Sequence, residues 1–250
     1  MKLFLTGATG FIGREVAAQA VRRGHEVIPL ARDVTAFAAE ARATHAGARA
    51  IVHLAPTTDG MEQLIAAAPD ARFVLISSLA VYDTLSLPDY ALLDEHTPIQ
   101  TQPAGPYAVT KLAQEALARR LARNLTILRP GIVHGQGREW FHHLGIQITP
   151  RRWLCLAPES PLPLISLEHC AAAILDALDA PPTTRNLIDE DPPPRGEYVA
   201  ALAARTSPRP AIHTLSWPTL KRLSSLGLGS LHDLFHPARV ATRCKPLRYS

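Results

Sequence analysis

The 250-residue sequence is poor in cysteine, and its three, Cys155, Cys170 and Cys244, stand far apart. That spacing fits no metal cluster, and an odd count fits no disulfide framework. A reducing, cytoplasmic setting is the expectation that follows. No continuous apolar run is long enough to cross a bilayer, so no membrane span is expected. The chain opens directly on a strand-like segment, so no secretory leader is expected. Lys and Arg outnumber Asp and Glu by 26 to 22, a formal net charge of +4. The arginines are scattered, however, and without a sustained basic run no nucleic-acid partner is expected. Internal repeats and low-complexity linkers are also missing. What the chain does have is a hydrophobic content of 47%, ample for one α/β domain with a modest extra lobe.

The stretch Met1–Gly13 organises the rest. Leu3, Phe4 and Leu5 form an apolar run of the length of a buried parallel strand. Glycines follow at 7, 10 and 13, and Phe11, Ile12, Val16, Ala17, Ala20 and Val21 then continue in helical rhythm. A strand that turns through glycines into a helix gathers backbone N–H groups and the positive end of the helix dipole at one point, which suits a pyrophosphate. Gly7 permits the turn, Gly10 lets phosphates approach, and Gly13 lets helix and strand pack closely. A plain glycine turn is the other reading, and position at a strand–helix junction favours the nucleotide.

Glu26–Arg32 reads as the second strand. An acid at its tip would hold both ribose hydroxyls and repel a 2′-phosphate. Ala31 and Arg32 stand there instead, which favours NADP over NAD; alternatively Arg32 is a surface residue and Asp33 serves the ribose. Ala36–Thr44 is alanine-rich and helical, Ala48–Ala55 is a strand, and Met61–Ala68 is a short helix. His53, inside an apolar strand, reads as a core histidine satisfied by backbone. Arg72–Ile76 is a buried strand ending in Ser77-Ser78, which could be ordinary turn residues. Pro106 and Tyr107 open a helix to about Arg123. In it Tyr107 and Lys111 lie one turn apart on one face. A tyrosine, with its ordinary pKa of about 10, is a poor acid or base at neutral pH, and a neighbouring ammonium favours the phenolate. Leu125–Leu128 is a strand, followed by the turn Arg129-Pro-Gly-Ile-Val-His-Gly135.

Four of these stretches, Thr6–Gly13, Ser77–Tyr82, Tyr107–Lys111 and Arg129–Gly135, together resemble the extended short-chain dehydrogenase/reductase (NAD-dependent epimerase/dehydratase) family. The resemblance runs through most of the chain and thins after about residue 140. It implies a Rossmann-type, doubly wound parallel α/β sheet with a small C-terminal substrate lobe. The dinucleotide-binding domain would span 1–135, with the catalytic helix at 107–123. Residues 136–250 would form mainly the substrate lobe, interleaved with the sheet. Carried over by position, Ser78 rather than Ser77, Tyr107 and Lys111 become catalytic candidates. Cofactor contacts fall to Gly7, Thr9, Gly10, Phe11, Ile12, Gly13, Arg32, Leu54, Ala55, Tyr107, Lys111, Pro130, Gly131 and Ile132, with NADP preferred to NAD.

The chain departs from the family pattern in several places. A further strand, with an acid that meets the adenine, is expected between 34 and 50 and is not found, so the sheet is expected to be narrower on that side. His134 replaces a usual tyrosine, either altering the substrate pocket or filling it. Ser166 replaces a histidine, and Glu168 and His169 stand in for an acidic pair; Glu168 reads otherwise as a helix cap. Asp94-Glu95-His96-Thr97-Pro98 resembles an acidic segment before the catalytic helix. Neither that run nor His142-His143 has the further ligands a metal needs, so no metal is expected. Trp140–His143 and Arg151–Trp153 could grip a phosphate or sugar ring or form amphipathic surface. Trp217, Leu220, Leu223, Leu226, Leu231, Leu234 and Phe235 form an apolar stripe read as a lid or packing helix.

The implied chemistry is proton-coupled hydride transfer on the carbonyl or hydroxyl of a small molecule, a nucleotide-sugar or related metabolite. A dehydratase would add an acid pair beside Ser78, where Leu79-Ala80 offers none. Reductase and nucleotide-sugar epimerase remain, and the NADP preference tips the reading to a reductase. The rival from another class is a non-catalytic NAD(P)-binding regulatory or assembly protein. The resemblance also implies a homodimer formed through the catalytic helix.

Overall fold

The computed structural model describes residues 1–30, 49–103, 105–225 and 237–250. They form two compact units. The first comprises Met1–Tyr82, Pro98–Val133 and Ile165–Leu187, and the second Asp83–Thr97, His134–Leu164 and Ile188–Ser250.

In the first unit the chain runs β1 (Lys2–Thr6), α1 (Phe11–Arg22), β2 (Glu26–Leu30), β3 (Ala50–His53), α2 (Met61–Ala67) and β4 (Arg72–Ile76). It continues through α3 (Pro106–Leu121), β5 (Asn124–Pro130), α4 (Leu167–Asp176) and β6 (Thr184–Leu187). The strands make one six-stranded sheet in the order β6-β5-β4-β3-β1-β2, and every pairing is parallel. This is the Rossmann-type doubly wound sheet. Because strand side chains alternate, each strand feeds both faces. Leu3, Leu5, Val52, Val74 and Leu128 pack with Val16 of α1 and Ile174 of α4. Phe4, Ile51, Phe73 and Ile127 pack on the other side with Leu64 of α2 and Ala118 of α3. β1 lies between β2 and β3, so the order of strands reverses beside it, where ligands of open α/β sheets bind.

The helix starts are set locally. Gly105 precedes α3 and Pro106 takes its first position, where the missing N–H costs nothing. For α4 the expected cap, Glu168, is corrected: the Ser166 hydroxyl accepts from the His169 N–H at 3.1 Å, and Glu168 lies in the first turn. A hydroxyl one residue before the helix reaches that N–H, whereas a side chain already inside the turn points away from it. β5 runs two residues beyond the expected strand end. Arg32, the helical reading of 36–44 and the missing adenine-side strand lie outside the described residues.

In the second unit Arg152–Leu156 pairs in parallel with Ala211–Leu215 and antiparallel with Gly145–Thr149. Trp217 and Leu220 pack with Leu156, Ala157, Val240 and Cys244, so this part of the apolar stripe is core. The remainder, from residue 226 to 236, is outside the described residues. Arg195 is buried, its Nη1 donating to the carbonyls of Leu156 and Ala157 and its Nη2 to that of Arg243. The last residues bind a distant loop: Arg248–Tyr249 pairs with Leu92–Leu93. The Lys245 ammonium donates to the carbonyls of Thr84, Leu85 and Leu87. Among the described residues no helix is long and apolar enough to cross a membrane, and all three cysteines are buried and free.

Candidate active site

The turn between β1 and α1 has the shape of a phosphate cradle. Gly7 has φ +68° and Gly10 N–H donates to its carbonyl at 2.9 Å. A Cβ on Gly13 would lie 2.1 Å from Gly7 O, and one on Gly7 would lie 3.1 Å from Ala55 N. The glycines are therefore demanded by contact between the turn, α1 and the segment after β3. Gly10 precedes α1 without a side-chain cap, and the first turn holds no acid. The positive end of the helix dipole is thus left for an anion. These residues fit the pyrophosphate of a dinucleotide. Thr9 is exposed, and its carbonyl accepts from Arg14 Nη1 at 3.0 Å; Phe11 and Ile12 form the first turn of α1.

Thr6, the last residue of β1, ties the neighbouring loop to this turn. Its Oγ1 accepts from the N–H groups of Leu54 and Ala55 at 3.1 and 3.2 Å and lies 3.0 Å from His53 Nδ1. The other ring nitrogen of His53 lies 3.2 Å from Thr57 O. His53 is 2% exposed, and its neighbours are two side chains, Thr6 and Gln114, as well as backbone. Burial pushes its pKa down to about 4 from an ordinary 6.5, with Lys111 acting in the same direction. The unfolded chain therefore takes up the proton first as pH falls. The stability contributed by neutral His53 is complete above 6.5 and is lost on descending through about 4. On that account the parent chain should lose about 3 kcal/mol more than His53→Gln between pH 7 and 4 in urea unfolding. Equal losses in the two proteins would refute the assignment.

On α3, Tyr107 is 53% exposed and Lys111 is 4% exposed, one turn apart. The Lys111 Nζ sits 5.9 Å from the Tyr107 ring centre. It donates to Ile76 O at 2.7 Å and to Gln114 Oε1 at 3.0 Å. Its third N–H has no acceptor among the described residues. Burial brings Lys111 down to about 8, against the opposing pull of the Glu115 carboxylate. Ser77 and Ser78 both follow the end of β4 at Ile76 but have different surroundings. Ser77 is buried and donates to Glu115 Oε1 at 2.6 Å, whereas Ser78 is partly exposed and its Oγ accepts from Ala80 N–H at 3.2 Å. Pro130 closes β5, and the Gly131 N–H is bonded to Leu187 O at 3.0 Å; Ile132 follows, half-buried. Ser78, Tyr107, Lys111, the glycines, Leu54, Ala55 and Pro130–Ile132 all belong to the first unit.

Beneath them lies a polar network that motif reading passed over. Glu115 and Arg129 are each 3% exposed and form a two-pronged pair, Nε–Oε1 at 2.9 Å and Nη2–Oε2 at 2.7 Å. Arg129 Nη1 also donates to Tyr82 Oη at 2.8 Å, and Tyr82 donates to Asn186 Oδ1 at 2.8 Å. Burial alone would raise the Glu115 carboxyl, but Arg129 and the Ser77 hydroxyl outweigh it and hold it below the usual carboxylate range. The i, i+4 spacing of Lys111 and Glu115 was the signal available in the sequence. In the second unit His134 packs edge-on against Tyr198 at 5.9 Å, and Trp140 against Trp153 at 4.7 Å. Asp94 caps its own turn, accepting from the N–H groups of His96 and Thr97 at 3.0 Å. No cluster of three or more metal-ligating side chains occurs among the described residues.

The profile of the NAD dependent epimerase/dehydratase family matches residues 3–71 and 53–147. The chain belongs to that family. Its members are NAD(P)-dependent enzymes, and the matched span takes in the glycine turn, Ser78, Tyr107 and Lys111. No curated protein matches in sequence. Solved structures show the same epimerase/dehydratase fold at low identity. A dTDP-4-dehydrorhamnose reductase from Clostridium acetobutylicum superposes with a TM-score of 0.70 at 20% identity, over 86% of this chain and 84% of its own. A UDP-N-acetylglucosamine 4-epimerase from Bacillus cereus gives 0.69 at 19%, over 86% and 85%. A short-chain dehydrogenase/reductase superfamily protein from Agrobacterium tumefaciens, with bound NAD, gives 0.66 at 22%, over 86% and 85%.

Proposed function

We propose that the protein is an NADP-preferring reductase of the epimerase/dehydratase family that acts on the carbonyl group of a nucleotide-sugar or related metabolite. The observation that carries this reading is the state of Lys111. It is buried, held by Ile76 O and Gln114, one turn from Tyr107, and has one N–H left over. That is the arrangement of a lysine that serves a tyrosine acid and a ribose together. Nucleotide-sugar enzymes among the structurally similar proteins support the substrate class, and Arg32 supports NADP.

When bound, the nicotinamide ring supplies the hydride. The residues of the chain manage the proton and the substrate oxygen. The Ser78 hydroxyl holds the oxygen, and Tyr107 passes its phenolic proton to it as negative charge develops there. Lys111, an ammonium below its midpoint near 8, stabilises the charge that appears on the Tyr107 oxygen. Gly7, Gly10 and Gly13 hold the pyrophosphate, and Leu54, Ala55 and Pro130–Ile132 line the cofactor's path. In the reverse direction Tyr107 takes the proton from a hydroxyl.

Titration with NADPH and NADH, followed by nucleotide fluorescence, tests the reading. NADPH should bind at least roughly tenfold more tightly, as one lost charge-assisted contact implies, and Arg32→Ala should erase the preference. Addition of 4-keto nucleotide sugars should then oxidise NADPH. Equal or better NADH binding would overturn the Arg32 argument and favour an epimerase, which returns its hydride. No binding of either nucleotide would favour a non-catalytic regulatory or assembly role.

A further inference from the structure

Gln114 is fully buried and has no part in the motifs of the chain, yet it touches two segments on which the proposed chemistry depends. Its Oε1 accepts from Lys111 Nζ at 3.0 Å. Its Nε2 donates to Ala55 O at 2.8 Å and to Thr57 O at 2.7 Å. The amide cannot be turned over, because that would set its NH2 against an ammonium and its oxygen against two carbonyls. Ala55 in turn is bonded to Thr6 Oγ1, the residue before the glycine turn. A continuous chain of hydrogen bonds therefore leads from the phosphate cradle, through the segment Leu54–Thr57, to the lysine ammonium.

We propose that Gln114 is a positioning residue that couples the cofactor-side segment Leu54–Thr57 to Lys111, so that seating of the nucleotide and placement of the ammonium are one event. This rests on the reading of Lys111 as the partner of Tyr107 and the cofactor. A glutamine suits the task because it accepts on one side and donates twice on the other. A leucine or methionine would fill the volume but leave the Ala55 carbonyl and one ammonium N–H without this partner, and the Thr57 carbonyl with His53 Nε2 alone. The charged and titratable groups facing Lys111 are Glu115 and Tyr107 from its own helix and His53 from β3. β4 presents the Ile76 carbonyl. Gln114 bonds to both the ammonium and the loop, and its Nε2 also lies 3.2 Å from His53 Nε2.

The test uses the full chain and two readouts. It has four lysines, Lys2, Lys111, Lys221 and Lys245, so each 13Cε resonance can be followed as pH is raised, without nucleotide, and Lys111 assigned from Lys111→Met. NADPH affinity is measured in parallel by fluorescence. In Gln114→Met the Lys111 midpoint should fall by about one unit, since an acceptor of the ammonium is lost, and NADPH affinity should drop about tenfold. In Gln114→Glu the midpoint should rise, because a carboxylate replaces the amide. NADPH affinity should still drop, because that carboxylate repels the Ala55 and Thr57 carbonyls. Opposite movement of the titration with the same movement of affinity is the mark of coupling, which general loosening of a core would not produce. An unchanged Lys111 titration in both variants, or unchanged NADPH affinity in both, overturns the inference while the parent chain still binds nucleotide. Failure of the parent chain to bind NADPH overturns the functional reading first, and this inference with it.

Discussion

Gly13→Ala should reduce NADPH affinity by at least about a hundredfold, and no other glycine substitution should have so large an effect on binding. The new Cβ would be driven to 2.1 Å from Gly7 O and 2.9 Å from Ala8 Cα. Both are backbone atoms, so no rotamer change relieves the contact, and α1 must move away from β1. That movement carries the first-turn N–H groups off the phosphate position, where their direction is what binds. Gly24→Ala is the control. Gly24 has φ +77° but open space around its missing Cβ, so alanine there should cost about 1 kcal/mol of stability through backbone strain and leave affinity intact. If both variants bind NADPH equally well, the turn is not the nucleotide site.

Arg129→Leu should be among the most destabilising single changes in the chain, by about 3–5 kcal/mol. It leaves the Glu115 carboxylate buried with the Ser77 hydroxyl and the exposed Arg119 at 3.5 Å as its neighbours. For a domain held together by about 5–15 kcal/mol, that is a large fraction. Arg129→Lys should recover little, because a point-like ammonium cannot repeat the two-pronged contact or reach Tyr82 as well. Glu115→Gln combined with Arg129→Leu should be less harmful than Arg129→Leu alone, because the buried charge is then gone. Urea denaturation of the four proteins measures this. A double variant no more stable than Arg129→Leu would show that loss of packing, not of charge pairing, dominates the cost.

The strands β1 and β4 and the helix carrying Tyr107 and Lys111 were legible because each depends on its own sequence: a short apolar run, a glycine turn, a tyrosine and lysine one turn apart. Ser77 and Ser78 show where that ends. They are the same residue type side by side, and what separates them is a carboxylate 38 positions away on α3. Arg129 was visible only as part of a proline–glycine turn, yet its guanidinium joins residues from α3 and from the segment after β4. Asn186 belongs to a strand supplied by the C-terminal half and reaches Tyr82 across 104 residues. Buried polar groups find partners through the fold, and pairings of that range leave no local period. Gln114 escaped notice for the same reason, since one helix turn of sequence does not reveal the two carbonyls waiting at Ala55 and Thr57.

The bonds from Lys245 to the carbonyls of Thr84 and Leu85, and from Arg248 to that of Tyr90, span 158–161 residues. Translation proceeds from the first of these segments to the last. At about 5–20 residues per second, the loop around Leu92-Leu93 emerges roughly ten to thirty seconds before its tail is made. During that interval Leu93, almost wholly buried in the finished protein, lacks its strand partner, and the edge it will share stays open. Until Arg248 and Tyr249 are made, the nascent chain presents this loop open to proteases and to association with its own copies.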